Sequence, residues 1–234
     1  MNPISVIFNE ILWRPLFNGL IFLYTKLPPY DMGVAIIALT LIIRLLLAPV
    51  LGKAKKSQQE LASIQPEIKK IQEKYKNDKT EQSKALMELY QAHKVNPFSG
   101  CLMIIIQLPV LIALFSVFRT GFDAAQLHYL YSFIPHPQIL NPISFGVLNL
   151  SKGNIYLGVI AAITQYFNTK LMGVIVDGGT SENEFTKAMR WQSLYVFPAL
   201  IFVWSYTLPS ALTLYWTILN IFGIIQELAT QRKI

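Results

Sequence analysis

Charge is scarce in this chain of 234 residues: Asp, Glu, Lys and Arg make up 14% of it, against 53% hydrophobic residues, and the mean hydropathy is +0.42. Soluble domains carry about 25% charged residues, so the composition is that of a membrane protein. The single cysteine, Cys101, lies inside an apolar run, which leaves no disulfide framework and no cysteine-rich metal site. The three histidines, His93, His128 and His136, show no ligand spacing, so no metal is expected. No glycine-rich phosphate loop is present, so no nucleotide or other cofactor is expected. The opening stretch MNPISVIFNEILWRPLFNGLIFLYTK lacks a basic leader, a small-residue cleavage site and a following lipid-attachment cysteine, so no removable signal is expected. It also lacks the Arg- and Ser-rich character of a transit peptide, which points to a bacterial plasma membrane.

What the chain has instead is apolar runs of spanning length. Gly33 to Leu51 is interrupted only by Thr40, Arg44 and Pro49, and meets the length that a hydrocarbon core of about 30 Å demands. Phe98 to Phe118 is a second run, Ile155 to about Thr169 and on toward Val176 a third, and Trp191 to Leu208 and Ala211 to Gln226 a fourth and fifth. The last two are joined only by TLPS, so those helices are antiparallel neighbours. Residues 4–27 are apolar but broken by Asn9, Glu10, Arg14, Pro15, Asn18 and Lys26, and the expectation is an interfacial helix along the surface, with a sixth span as the alternative. The expected fold is an all-α membrane protein. Its parts are an N-terminal interfacial amphipathic helix (1–30), a first transmembrane helix (31–52), a cytoplasmic coiled-coil hairpin (53–97), transmembrane helices two to five (98–226) and a short tail (227–234). Within the fourth part lie an extracytoplasmic loop (119–154) and a cytoplasmic loop (177–190).

Basic residues set the orientation. Fifteen lie on one side: ten lysines between Lys53 and Pro97, then Lys170, Lys187, Arg190, Arg232 and Lys233. Four lie on the other: Arg14, Lys26, Arg119 and Lys152. The positive-inside rule puts the fifteen in the cytoplasm, with the N-terminus outside and the C-terminus inside. Within the basic insert, Leu61, Ile64, Ile68, Ile71 and Tyr75 repeat at coiled-coil spacing, and a second helix is expected from about Thr80 to His93. The short polar turn KNDK folds the two back as an antiparallel hairpin, and Pro66 marks a break or restart of the first. Its lysines, Lys69, Lys70, Lys74, Lys76 and Lys79 among them, read equally as a solvated surface or as a contact for anionic lipid, ribosomal RNA or an acidic chain; no sequence-specific nucleic acid is expected.

Arg44 is the anomaly. The first span's twelve Val, Ile and Leu residues each favour insertion by about 0.3–0.6 kcal/mol against a cost of about 2.5–3.5 kcal/mol for one central arginine, so the span inserts, yet the guanidinium needs water or a polar partner. It can snorkel toward the end of the span near Leu51, it can pair with an acid, although only Glu227 and Asp31 lie even at the ends of spans, or it can face a hydrated cavity. Polar residues to line such a cavity are present: Thr40 on the same helix, Gln107 in the second span, Thr164 and Gln165 in the third, and Thr213, Trp216, Thr217 and Asn220 as a stripe on the fifth. Singly each reads as an interhelical hydrogen bond; together with an unpaired arginine they favour a wet groove.

The stretches LTLIIRLLLAPV, IQPEIKKIQEKY, LYQAHKVNPFSGCLMIIIQLPVLIALF and FPALIFVWSYTLPSALTLYWTILNIFGIIQ resemble, in order, those of the bacterial YidC insertases of the Oxa/Alb superfamily, from about Asp31 to Gln226. The resemblance implies a five-helix core with a hydrophilic groove open to cytoplasm and lipid, its arginine, glutamine and tryptophan matching Arg44, Gln107 and Trp216. It also implies a cytoplasmic hairpin for client or targeting-factor contact, here Lys53 to Asn96. The expected role is insertion and chaperoning of membrane proteins without covalent chemistry, hence no enzyme and no catalytic residue. Expected partners are nascent membrane proteins, membrane lipid, the Sec translocon, the ribosome and the signal-recognition machinery. Two departures are noted: no large extracytoplasmic domain precedes the first span, and the tail is short for a basic ribosome-binding extension. The rival readings are a small transporter, for which neither internal repeats nor mid-membrane acids are found, and a helper that only scaffolds beside a translocon.

Overall fold

The computed structural model describes residues 3–96, 99–120, 122–173, 188 and 190–231. The expected loop 177–190, apart from 188 and 190, the end of the third span toward Val176, Phe98, Arg232 and Lys233 lie outside the described residues.

The described chain is mostly helical. Helix α1 (3–26) is built from Pro3–Phe8, a π-type turn Asn9–Trp13 and Arg14–Lys26. Helix α2, Met32–Ser63, follows; Asp31 caps its start, accepting from the amides of Gly33 at 2.8 Å and Val34 at 3.2 Å. Its 32 residues rise about 48 Å, well beyond a hydrocarbon core of about 30 Å. Among the described residues, three stretches are long and apolar enough to cross a membrane: Ser5–Lys26, Met32–Ser63 and Ser210–Ala229.

Helix α3, Gln65–Lys74, restarts the chain with Pro66 in its first turn, where the missing N–H costs nothing. Helix α4, Lys79–Ala92, is capped by Asp78, which accepts from Thr80 and Glu81. The two run back along each other: Glu67 meets His93 at 3.4 Å at one end, and the Gln82 side chain donates to the Gln72 carbonyl at 2.9 Å at the other. Ile64, Ile68 and Val95 form their buried seam, flanked by Leu61, Leu86, Leu89 and Tyr90.

Helix α5 is Ser99–Thr120, with Pro109 inside it, as Pro49 is inside α2; each proline removes one backbone donor from its helix. A connection from 121 to 154 contains a 3₁₀ turn, Ala124–Tyr129, and a small antiparallel pair, β1 (Ile143–Ser144) with β2 (Leu148–Asn149). Helix α6 is Ile155–Gly173; α7 (192–207) joins a π-type turn Gln192–Val196 to Phe197–Thr207; α8 is Ser210–Gln231. Helices α6, α7 and α8 meet through small residues: a Cβ at Gly158 would strike the Ser205 side chain, and one at Gly223 would stand 2.5 Å from Asn168 Oδ1.

The main core sits at one end of the bundle. It combines Phe17, Leu20 and Ile21 of α1, Met32 and Ile36 of α2, Leu114, Val117 and Phe118 of α5, Leu130, Ile134 and Leu150 of the connection, and Leu212 and Tyr215 of α8. The polar residues that interrupt α1 have partners there. Asn18 is buried; it donates to the Tyr129 carbonyl at 3.1 Å and accepts from the Tyr131 amide at 2.6 Å, while Arg14 Nε donates to the Tyr129 carbonyl at 3.2 Å.

Candidate functional site

Arg44 lies in the middle of α2, beyond the packed end. Its Nε is buried and has no hydrogen-bond partner, and its guanidinium stands 5.9 Å from the centre of the Phe222 ring on α8. The Tyr215 hydroxyl is within electrostatic range. A cavity of about 200 Å³ opens beside it, lined by Arg44, Ala48 and Leu51 of α2 and Phe222, Ile225 and Gln226 of α8. No carboxylate pairs with Arg44 among the described residues. Glu227, the nearest acid in sequence on α8, is taken: its Oε2 is 2.6 Å from Lys55 Nζ, with the two side chains only 4% and 17% exposed. Lys55 stands three turns beyond Arg44 on α2, so this ion pair ties the two walls of the cavity together at its far end.

The other predicted residues fall into separate groups. Thr40, one turn before Arg44, is buried and donates to the Ile36 carbonyl at 2.6 Å, so its hydroxyl is satisfied within its own helix. Gln107 of α5 donates to the Tyr215 hydroxyl at 2.5 Å. Thr164 of α6 accepts from Asn220 of α8 at 3.5 Å, and Asn220 accepts from Asn168 at 3.2 Å, whose own Oδ1 is buried without a partner. Gln165 bonds Thr169 on its own helix at 3.0 Å. Thr213 and Thr217 are buried, and the Thr217 hydroxyl donates to the Thr213 carbonyl at 2.8 Å. Trp216 packs on α7, against Phe197 at 6.0 Å and Trp204 at 6.3 Å. Arg44 and the Thr213–Trp216–Thr217–Asn220 stripe are thus not brought together: at 100° per residue, Tyr215, Phe222 and Gln226 occupy the face of α8 opposite that stripe, and it is this face that meets Arg44 and Gln107. Tyr215 and Phe222 belong to the apolar remainder of the fifth span and carry no polar mark in the sequence. Their spacing of seven, continued by Gln226 four residues on, was the available signal.

Of the basic residues on α3 and α4, Lys70, Lys74, Lys76 and Lys79 are exposed and Lys69 is half-buried. Lys74 lies 5.0 Å from the Tyr75 ring centre, and Lys79 donates to Gln82 at 3.3 Å. None of them lines the cavity beside Arg44.

Apolar helices of spanning length, a mid-helix guanidinium with no acid beside it among the described residues and a mainly apolar cavity between two of those helices define an integral membrane protein with a recess at a buried arginine. The comparisons with known proteins make this specific. The family model described as 60Kd inner membrane protein matches residues 22–234. A membrane protein insertase YidC of Fusobacterium nucleatum is 37% identical over 203 residues, 87% of each chain; one of Clostridium tetani is 35% identical over 205 residues, 88% of this chain and 84% of that one. A crystal structure of an active YidC insertase with its first transmembrane domain resolved aligns with a TM-score of 0.59 and 31% identity, over 93% of this chain and 46% of that one, so the chain spans about half the length of that solved protein. The chain belongs to the 60Kd inner membrane protein family, that of the YidC insertases, and is a bacterial membrane protein.

Proposed function

We propose that the chain inserts membrane proteins into the bilayer by admitting the polar end of a client to the recess beside Arg44. One observation carries this reading: a buried guanidinium nitrogen with no hydrogen-bond partner, next to a cavity of about 200 Å³. A buried charge with open hydrogen-bonding capacity is costly unless water or a ligand group reaches it. A short acidic tail or loop supplies both charge and acceptors, and charge-assisted bonds to a guanidinium are about twice as strong as neutral ones. With the polar segment held part-way, its path through hydrocarbon is shorter. The client's apolar helix then moves out to lipid, driven by about 25 cal/mol per Å² of apolar surface removed from water. No bond is made or broken.

In this reading α2, α5, α6, α7 and α8 are the five spans. The lysine-rich α3–α4 pair and the C-terminus lie in the cytoplasm and the N-terminus outside. Helix α1 lies along the outer surface: although 22 of its residues suffice to cross, it packs on Tyr129 and Tyr131 of the connection, on the first turns of α2 and on the last turns of α5, all at one end of the bundle. Gln107, acting through Tyr215, and Thr40 flank the recess; the Thr164–Asn168–Asn220 network ties α6 to α8 and Trp216 packs α8 on α7, while Gln165, Thr213 and Thr217, bonded within their own helices, remain candidate groove residues. Nascent membrane proteins and lipid are the partners at the recess. The exposed lysines of α3 and α4 serve contacts with the ribosome, the signal-recognition machinery or the Sec translocon.

The test replaces Arg44 by Lys, Ala and Glu and follows single-span clients with acidic tails by protease protection in proteoliposomes. Arg44→Lys retains most insertion, Arg44→Ala lowers it, and Arg44→Glu lowers it furthest because the sign is reversed. Full insertion by the Glu variant across the client panel removes the attraction mechanism.

A further inference from the structure

From 124 to 151 the chain carries no Asp, Glu, Lys or Arg. This is the connection between α5 and α6, which in a bundle of spans is a loop in water, and water-facing loops of such length are normally charged. Instead it presents large apolar side chains outward: Phe133 is 74% exposed, Ile139 77% and Val147 87%. Phe145 and Tyr129 are exposed beside them. Scattered apolar residues on a surface need no explanation, but several on one charge-free segment mark an interaction surface.

The depth of the segment is fixed by its hydrogen bonds. Asp31, the cap of α2, accepts from the Phe145 amide at 2.8 Å and from the Ser144 hydroxyl. At the far end, the Leu150 carbonyl accepts from the Ala211 amide at 3.0 Å and the Lys152 carbonyl from the Ser210 amide at 2.9 Å, so the start of α8 is tied to the same segment. The first lysine beyond the apolar run of α2, Lys53, is 21 residues past Met32, a rise of about 32 Å, close to the thickness of a hydrocarbon core. Lys53 and Asp31 therefore stand near opposite boundaries. The segment bound to Asp31 is at the boundary too, and not in bulk water. Tyr156 at the start of α6 and Tyr206 at the end of α7 are exposed at this same end, as aromatic side chains at a membrane–water interface are.

We infer that the 124–151 segment is immersed in the membrane–water boundary, with Phe133, Ile139 and Val147 in contact with lipid. This rests on reading α2 and α8 as spans. The partner is the bilayer itself: the segment carries no charged residue of its own, its charged neighbours Arg14 and Asp31 are engaged by its backbone, and it is held at the level where α2 and α8 begin. Immersion there fixes the depth at which α2 and α8 begin, and hence the depth of Arg44, twelve residues below Met32 or about 18 Å along the helix.

The test uses the full chain with Cys101→Ser, single cysteines in turn at Phe133, Ile139 and Val147, and an environment-sensitive fluorophore on each, in phosphatidylethanolamine–phosphatidylglycerol vesicles. Leu45 and Met87, both exposed apolar positions, serve as lipid and water references. Labels at the three positions are quenched by lipid carrying a shallow nitroxide and are several-fold less accessible to aqueous iodide than the label at Met87. Iodide access equal to that at Met87, without lipid quenching, overturns the inference. Protection from both quenchers overturns it as well, because a protein then covers the surface. If the Leu45 label is itself open to iodide, it is the reading of α2 as a span that fails; if Leu45 is lipid-quenched and the three are not, only the loop inference fails.

Discussion

The two halves of the apolar run in α2 have nearly the same composition and opposite surroundings. From Met32 to Thr40 the face formed by Met32, Ala35, Ile36, Leu39 and Thr40 is buried, against α1, α5 and the 121–154 connection. From Leu41 to Val50 the side chains of Leu41, Ile42, Leu45, Leu46 and Val50 are exposed, and the recess beside Arg44 opens along this half. Aliphatic content sets insertion into the bilayer; what closes one end and leaves the other open is whether neighbouring elements arrive. Among the described residues, the connection and α1 pack on the first end. In the proposed orientation the packed end faces outward and the recess lies toward the cytoplasm, the asymmetry that one-sided admission of a polar segment needs.

That contrast predicts a large difference in stability on truncation. Phe17 is fully buried in the packed end, and Phe17→Ala is expected to destabilise by about 3–5 kcal/mol through lost contacts and a cavity. Leu45, largely exposed on the other half, gives Leu45→Ala within about 0.5 kcal/mol of the parent. Unfolding in mixed micelles with increasing denaturing detergent measures both; equal losses would abolish the distinction between the two ends.

The open end is not without a fastener. Lys55→Met leaves Glu227 buried and unpaired and is expected to cost about 3 kcal/mol, the usual penalty for breaking one side of a buried pair. Exchanging both, Lys55→Met with Glu227→Leu, recovers most of it, since no charge is then stranded. Thermal melting of the four proteins of this cycle gives the coupling. Additive losses would mean that the ion pair does not join the walls of the recess.

Sequence reasoning reached these regions unequally. Arg44 was conspicuous because a charge in an apolar run has no cheap explanation. The helices at 65–74 and 79–92 were legible because apolar period, Pro66 and Asp78 agree on their limits. The opposite faces of α8 were not separated: a stripe of Thr, Trp and Asn announces itself as polar, whereas Tyr215 becomes a polar partner only when Gln107 is placed beside it by tertiary packing. Likewise Asn18 and Arg14 read as interruptions of α1 until residues over a hundred positions away supply their partners. The 124–151 segment has neither period nor charge, so its placement comes from tertiary ties: to Asp31, Ser210 and Ala211, to Arg14 and Asn18 of α1, and through Leu130, Ile134 and Leu150 to the core.

The smallest expected effect concerns the first of those ties, and it depends on pH. Burial of the Asp31 carboxyl pushes its pKa up, but the Ser144 hydroxyl and the amides of Phe145, Val34 and Gly33 outweigh this, and the net pKa lies below the ordinary aspartate value. A carboxylate depressed in the folded state stabilises it above the unfolded value; the contribution fades as pH falls through the lower, folded value. At neutral pH, Asp31→Asn is therefore expected to cost about 1 kcal/mol, the usual worth of a helix cap. As pH falls below the ordinary aspartate value the parent's advantage shrinks, and its melting temperature converges on that of the variant as the lowered, folded value is passed. Because Asp31 holds both the start of α2 and the β1–β2 connection, the same variant should loosen the Val147 label from the membrane boundary while leaving the Leu45 label where it was. A melting difference that stays constant down to pH 3 would show that the charge at Asp31 is not what joins the connection to α2.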